Sequence, residues 1–222
     1  MAGAMDITEL TLDELRLRLA PAIAQGAIFD GWGEVALADA AAAEGADPAV
    51  ARLAFPDGPM DMIDAWIASV DAAMVAALPA ERLAAMPIRE RIRSLVQFRL
   101  DAAAGLEEAV RRAIAIMAMP QNAPHALKTA WRSADIMWRL AGDTATDYNH
   151  YSKRTILAGI YSATLAVWVD DESEDKAETR AFLARRIEGV MKFEKAKAKW
   201  LNPEREHFSL SRFLGRLRYP AR

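Results

Sequence analysis

Side chains that could catalyse a reaction or hold a metal ion are sparse in this sequence. Its 222 residues include no cysteine and three histidines, His125, His150 and His207. Thiolate metal sites, iron–sulfur clusters and cysteine nucleophiles are therefore excluded. The one Glu-x-x-His pair, Glu204 with His207, is too little for a di-iron centre, which needs two such pairs and further carboxylates. With no nucleotide-binding or nucleophile-elbow motif either, we expect a protein that is not an enzyme and has no metal and no cofactor.

The composition favours helices as the elements that position the remaining side chains. Hydrophobic residues make up 53% of the chain, alanine is abundant and β-branched residues are few. Apolar side chains recur at helical spacing through most segments. We expect an all-α fold of about nine to ten helices, organised as an N-terminal region (1–75), a ligand-binding and dimerisation region (76–200) and a tail (201–222).

Neither a membrane-spanning segment nor a targeting peptide is evident. The longest charge-free apolar stretch, Thr155–Val169, has 15 residues, whereas a transmembrane helix needs roughly 20. The first ten residues carry Asp6 and Glu9 and no basic residue, unlike a signal or transit peptide. We therefore expect a soluble, cytoplasmic chain.

Two short helices and a turn organise the N-terminal region. One predicted helix ends at Gly45, and Asp47 with Pro48 begins the next, as an N-cap and a first helical residue would. The stretch Ala36–Pro56 is similar to the helix-turn-helix of TetR-type repressors. The spacing therefore predicts a helix-turn-helix near the N-terminus.

This helix-turn-helix lacks the side chains that read DNA. The candidate recognition helix, Pro48–Phe55, has Arg52 as its one basic residue and has no amide side chain. Between Asp39 and Asp71 the chain has seven carboxylates, which would repel phosphates. The pattern favours a structural helix-turn-helix over one that binds an operator, so we expect no nucleic-acid partner.

The most distinctive run, Met137–Arg154, joins two predicted helices through a polar loop. Its short polar side chains can cap helices, so the residues alone are compatible with a structural loop. The run reads Trp-x-x-Ala-Gly-Asp-x-x-Thr-Asp-Tyr-Asn-x-Tyr-x-x-Arg, followed by Leu-Ala-x-Ile-Tyr-x-x-Thr. This pattern resembles the signature of a family of ubiquinone biosynthesis accessory proteins, coenzyme Q biosynthesis protein nine. The matching residues are Trp138, Ala141, Gly142, Asp143, Thr146, Asp147, Tyr148, Asn149, Tyr151, Arg154, Leu157, Ala158, Ile160, Tyr161 and Thr164.

The resemblance implies a TetR-like fold that binds lipid instead of an operator. It further implies that the chain presents an isoprenoid quinone intermediate to the di-iron hydroxylase of the ubiquinone pathway. The surface that contacts this hydroxylase would include Met137, Leu140, His150 and Tyr151. His150 departs from the family, whose members commonly have tryptophan there. Because TetR-like proteins generally dimerise, we also expect a homodimer.

A lipid cavity would be lined by the apolar helix after the signature and its neighbours. The stretch Thr155–Val169 is apolar on all sides, which predicts burial. Methionine and aromatic residues are typical of adaptable ligand sites, although a plain core uses the same types. The resemblance favours a cavity for an isoprenoid quinone intermediate or a phospholipid. The candidate lipid-binding residues are Met117, Trp131, Trp138, Ile156, Ile160, Tyr161, Leu165 and Trp168.

The last part of the chain is basic although the formal net charge is −3. From Lys192 onward nine lysines and arginines face three acidic residues. An apolar stripe at helical spacing alternates there with arginines, which is typical of a helix that lies on a membrane. A helix docked on its own domain would be the other interpretation. The candidate membrane-binding residues are Leu210, Arg212, Phe213, Leu214, Arg216, Leu217 and Arg218.

These observations favour one function and leave two alternatives. The favoured one is a ubiquinone biosynthesis accessory protein that binds a lipid at an anionic membrane surface, peripherally on the inner face of a bacterial membrane, and presents it to a hydroxylase. The alternatives are a TetR-type transcriptional regulator that senses a hydrophobic ligand, and a scaffold with a packed core and no ligand.

Overall fold

A computed structural model describes residues 7–144 and 148–201 of the chain. Within these residues it contains ten α-helices, two short 3-10 turns and no strand, which confirms the all-α prediction. The helices are α1 (Leu12–Asp30), α2 (Glu34–Glu44), α3 (Pro48–Ala54), α4 (Pro59–Ala77), α5 (Ala80–Ala84), α6 (Ile88–Asp101), α7 (Glu107–Met117), α8 (Ala123–Leu140), α9 (Tyr148–Asp170) and α10 (Ala177–Leu201). No helix in this part of the chain is both long and apolar enough to cross a membrane.

Local capping explains where the N-terminal helices begin and end. Thr11 and Glu14 form a reciprocal capping box at the start of α1. Asp47 caps α3 with Pro48 as its first residue, and Gly45 ends α2 with φ 75°, a left-handed conformation that suits glycine. These caps confirm the predicted bounds of the helix-turn-helix.

The structure differs from the sequence prediction in two helices. The short helix α5 lies between Pro79 and Pro87 and was not predicted. In α9 the expected burial on all sides is wrong, because Thr155 and Gly159 are exposed while Leu157 and Trp168 are buried. Thr155 and Gly159 are small, so they leave little apolar area in water.

The core lies where α1 packs against α2 and α4, and where α8 packs against α9. Leu19, Ile23 and Ala27 of α1 are completely buried in it. The chain divides into two compact units, one that ends at Ala184 and one that begins at Arg185. The predicted boundary at residue 75 stays a prediction.

Candidate functional site

A buried arginine holds the corner where α8 leads into α9. Arg154, which is 2% exposed, donates from Nε to Asp135 at 2.6 Å and from Nη1 to Asp143 at 2.9 Å. Nη1 also donates to the carbonyl oxygen of His150 at 3.0 Å. Asp143 in turn accepts from Lys153 at 2.6 Å. These two carboxylates and two basic side chains thus neutralise one another at this corner and fix its geometry.

Trp138, the tryptophan of the signature, also stabilises the corner. Trp138 donates from Nε1 to the carbonyl oxygen of Lys153 at 2.9 Å. The ammonium group of Lys153 lies 5.4 Å from the centroid of the Trp138 ring, within the range of a cation–π contact. Trp138 therefore joins the end of α8 to the start of α9.

Outside this corner lies an aromatic patch, which we define as Leu127, Trp131, His150 and Tyr151. The His150 ring meets the Tyr151 ring edge-on at 5.2 Å, and the Trp131 ring lies 5.9 Å from that of Tyr151. Tyr151 is 61% exposed, and Leu127, one turn before Trp131 on α8, is also exposed. The patch thus presents apolar and aromatic area to solvent.

The predicted hydroxylase-binding residues divide between this surface and the interior. His150 and Tyr151 belong to the aromatic patch, and Leu140 is half-buried. Met137 is completely buried, so its prediction as a surface contact is wrong. It lies one turn after Ser133 and two turns after Thr129, which are both on the buried face of α8.

A central cavity of about 330 Å³ lies among α4, α6, α7, α8 and α9. Of the predicted lipid-binding residues, Met117, Tyr161 and Leu165 line it. The lining residues are Ile63, Trp66, Ile67, Arg99, Val110, Ala113, Ile114, Met117, Ala118, Thr129, Ala130, Ser133, Tyr161, Ser162, Leu165 and Ala166. The cavity is apolar except for a few polar side chains, as ligand sites commonly are.

Five predicted lipid-binding residues are not part of this lining. Trp138 belongs to the corner, and Trp131 belongs to the aromatic patch. Trp168 is buried with the Lys176 ammonium 5.0 Å from its ring centroid. Ile156 and Ile160 are half-buried on α9.

The sequence analysis missed the lining residues that α4 and α6 contribute to the cavity. One of them, Arg99, could have been recognised from its position in the sequence. It follows Ile92 and Val96 on the apolar stripe of α6 at helical spacing, where a charged side chain must find a buried partner.

That partner is Asp71 of α4. The two residues form a buried ion pair, and Ser133 donates to the other oxygen of Asp71 at 3.0 Å. Burial raises the pKa of Asp71 even though Arg99 and Ser133 favour its ionised form. The guanidinium of Arg99 also lies 4.8 Å from the ring centroid of Tyr161. Arg99, held by its pair with Asp71, therefore forms part of the cavity wall.

A larger and more open cleft of about 620 Å³ lies on the other side of α6. Arg82, Arg93 and Arg180 are among its lining residues, together with apolar side chains such as Leu78 and Phe98. In the part of the chain that the structure describes, no cluster of three His, Asp or Glu side chains is placed to hold a metal ion.

The exposed surface of the helix-turn-helix is more apolar than is usual for a helix that binds DNA. The exposed face of α3 carries Val50 and Leu53, the latter 68% exposed. The guanidinium of Arg52 is paired with Glu34 at 3.0 Å. The one basic residue of α3 is thus already held by a carboxylate.

At the other end of the chain, the predicted membrane-binding residues between 210 and 218 lie outside the described residues.

Comparisons with known proteins agree with the signature. Residues 123–194 match the COQ9 family model. The rat protein named "Ubiquinone biosynthesis protein COQ9, mitochondrial" is 33% identical over 168 residues, which are 72% of this chain and 54% of that protein. Its bovine counterpart, which has the same name, is 31% identical over 186 residues, 81% of this chain and 58% of that protein. The chain thus spans little more than half the length of these relatives.

A solved structure confirms the predicted TetR-like fold. The TetR transcriptional regulator from Nitrosomonas europaea has a TM-score of 0.64 and 25% sequence identity, over 80% of this chain and 98% of that one. The family match covers α8, α9, the corner between them and most of α10. Together with the similarity to the rat and bovine proteins, this match shows that the chain belongs to the COQ9 family.

Proposed function

We propose that this chain acts in ubiquinone biosynthesis as an accessory protein without catalytic activity of its own. It binds an isoprenoid quinone intermediate or another lipid and presents it to the hydroxylase of the pathway. The observation that carries this proposal is the central cavity, about 330 Å³ in volume, which α8 and α9 of the signature help to line. Ligand sites commonly have volumes of about 300–1,000 Å³, so the cavity is large enough for part of a lipid.

The aromatic patch is the proposed docking surface for the hydroxylase, a di-iron enzyme in this interpretation. Exposed Tyr and Trp side chains often act as anchors that dominate the energy of an interface. Tyr151 supplies such an anchor, with Trp131 and His150 packed against it. The buried network of Arg154 supports this surface from beneath.

The basic tail is the proposed membrane-binding element. Its pattern of apolar side chains and arginines, from Leu210 to Arg218, would hold the protein peripherally on an anionic surface, the inner face of a bacterial membrane. Reversing the charges of Arg212 and Arg216 should abolish sedimentation with anionic liposomes. Unchanged sedimentation would remove this part of the proposal.

We also propose that the chain works as a homodimer.

A transcriptional regulator that senses a hydrophobic ligand is a second candidate. The fold shared with the Nitrosomonas regulator favours it. The exposed face of α3 argues against it, because Val50 and Leu53 cannot read base edges and Arg52 is paired with Glu34. We therefore propose that the helix-turn-helix has a structural role and that the chain has no nucleic-acid partner.

Lipid extraction tests the central proposal. The purified chain is extracted with organic solvent and the extract analysed by mass spectrometry. Ala130, which lines the central cavity, is replaced by Phe to fill it, and Ala115, an exposed residue of α7 outside the lining, is replaced by Phe as a matched control. We expect isoprenoid or phospholipid species from the parent and from A115F, and their loss from folded A130F. An empty extract from the folded parent would favour the scaffold without a ligand.

A further inference from the structure

The central cavity has one charged side chain in an otherwise neutral lining. This is Arg99, which is 2% exposed and lies among the side chains of five helices. Four neutral side chains with a hydroxyl group also line the cavity: Thr129, Ser133, Tyr161 and Ser162. The polarity of the cavity is thus concentrated around a single guanidinium group.

The hydrogen-bonding capacity of Arg99 is not used up by its protein neighbours. Nη1 donates to Asp71, and the guanidinium lies over the ring of Tyr161. The Nε atom has no hydrogen-bond partner, although it is buried. Because a buried donor without an acceptor is unfavourable, an acceptor oxygen brought by a ligand would be bound there after a small rotation of the side chain.

Two of the neighbouring hydroxyl groups already donate their protons to carboxylates. Ser133 donates to Asp71 at 3.0 Å, and Thr129 donates to Asp64 at 2.6 Å. The Nε of Arg99 is, by contrast, a charged donor at this wall that has no partner. A ligand suited to the wall carries an acceptor oxygen. A flat aromatic head fits best, because guanidinium groups and aromatic side chains such as Trp66 and Tyr161 both stack on rings.

The volume of the cavity limits how much of a lipid can enter. A cavity of roughly 150 Å³ holds one benzene molecule. The central cavity, at about 330 Å³, has about twice that volume. It accommodates an aromatic ring with a short substituent, whereas a long isoprenoid tail must continue outside it.

We propose that Arg99 recognises an acceptor oxygen, a ring carbonyl or a phenolic oxygen, on an aromatic head that lies in the central cavity. Arg99 is then the residue that selects the head of the ligand, and Asp71 positions its guanidinium. This inference rests on the proposed lipid binding and adds to it the chemistry that the cavity selects and the end of the lipid that enters it.

Two small probes test the selection directly. These are 2-prenyl-1,4-benzoquinone and prenylbenzene, which differ in the two ring oxygens. In a cavity without a donor the quinone would bind more weakly, since its oxygens lose water and gain nothing in return. We expect the parent to bind the quinone at least about tenfold more tightly than prenylbenzene, measured by titration calorimetry.

A double variant, R99M/D71L, removes both partners of the pair, so that no unpaired charge is left in the core if it folds. We expect it to retain the affinity for prenylbenzene and to lose the preference for the quinone. The matched control is R139M, an exposed arginine of α8 outside the lining, which should keep the preference. A preference that persists in the folded double variant would overturn the role of Arg99.

Other outcomes separate this inference from the proposed function. Equal binding of both probes by the parent would overturn selection by Arg99 and leave lipid binding intact. Failure of the folded parent to bind either probe, together with an empty lipid extract, would overturn both. Adding isoprene units to the quinone should change its affinity less than removing the ring oxygens does. The reverse result would contradict the proposal that the aromatic head lies in the central cavity.

Discussion

Two buried arginines of this protein share a residue type and a degree of burial but differ in their partners. Arg154 donates to two carboxylates and a main-chain carbonyl at the α8–α9 corner. Arg99 donates to one carboxylate beside the central cavity, and its Nε has no partner. Among the buried side-chain atoms that the structure describes, those without a partner are this Nε and that of Arg93, which lines the open cleft. The two arginines whose Nε has no partner thus line cavities, while Arg154 lies in a complete network.

The partners of a buried charged side chain distinguish a structural role from a role in ligand binding. A complete network has no capacity left for a ligand, and its value lies in the geometry that it fixes. An incomplete one retains a donor at a cost of about 1–3 kcal/mol in the empty protein, which a ligand oxygen can recover. Burial and charge alone would rank Arg99 and Arg154 as equivalent.

The largest expected effect is the loss of Arg154. In R154M, Asp143 and Asp135 keep their charges at the corner without their buried partner. Breaking a buried ion pair costs about 3–5 kcal/mol. For a chain of this size we expect Tm to fall by about 10 °C, measured by circular dichroism. R139M serves as a control, because the exposed Arg139 also pairs with Asp135 and should cost less than about 1 kcal/mol. Equal Tm values for the two variants would contradict a structural role of the network.

The loss of Arg99 should be less costly, and its cost should depend on pH. The pKa of Asp71 is raised by burial already in the parent, so in R99M this carboxyl can protonate and remain buried. A group whose folded pKa lies above its unfolded value stabilises the fold at low pH, and this contribution is lost as the pH rises through the folded pKa. R99M should therefore cost about 2–3 kcal/mol at pH 8 and less at pH 5, measured by urea unfolding.

The double variant R99M/D71L sharpens the same comparison. With both charges replaced by apolar groups, stability should lie within about 1 kcal/mol of the parent at either pH. A double variant as unstable as R99M at pH 8 would mean that the pair is needed for the fold and not for a ligand.

Asp171 is a buried carboxylate whose charge is stabilised by hydrogen bonds and not by a basic side chain. It accepts hydrogen bonds from the main-chain N–H groups of Ser173 at 2.9 Å and Thr179 at 2.8 Å, and from both hydroxyl groups. Burial opposes its charge, but these hydrogen bonds prevail and lower the pKa of Asp171 well below its usual range. A lowered pKa contributes stability above the unfolded pKa of about 4, and this is lost as the pH falls.

We accordingly expect D171N to cost about 1 kcal/mol at pH 7, as the loss of a helix cap does, and less at pH 2, because the stabilisation by the ionised carboxylate declines as the pH falls below the unfolded pKa. Chemical denaturation of parent and variant at both pH values measures this difference. A cost that is independent of pH would show that the ionised form of Asp171 is not what stabilises the start of α10.

The sequence predicted what depends on neighbouring residues and missed what depends on distant ones. Asp47, Pro48 and Gly45 set the bounds of α2 and α3 by local capping. The signature likewise predicted the region around the corner, since its partners lie within about twenty residues of each other. The pairing of Asp71 with Arg99 joins two residues that are 28 positions apart, on α4 and α6, and no local pattern specifies it.

One misassigned residue and one missed residue had signals that spacing could have revealed. Met137 follows Ser133 and Thr129 at intervals of four residues, which places it on their buried face. Arg99 continues the apolar stripe of α6, which marks it as a buried charge. The cavity itself depends on five helices, so the sequence alone could indicate three of its lining residues but not its walls on α4 and α6.

The smallest effect on stability, and a test of the surface that the corner supports, is expected from Y151A. Tyr151 is largely exposed, so its truncation should change the free energy of unfolding by less than about 0.5 kcal/mol. If the aromatic patch binds the hydroxylase, Y151A should nevertheless lose capture of that enzyme, because anchor residues dominate interface energy. The control is F29A, which removes an exposed aromatic side chain of α1 outside the patch. Normal capture by Y151A would remove Tyr151 from the docking surface, while loss of capture in both variants would argue against a specific patch.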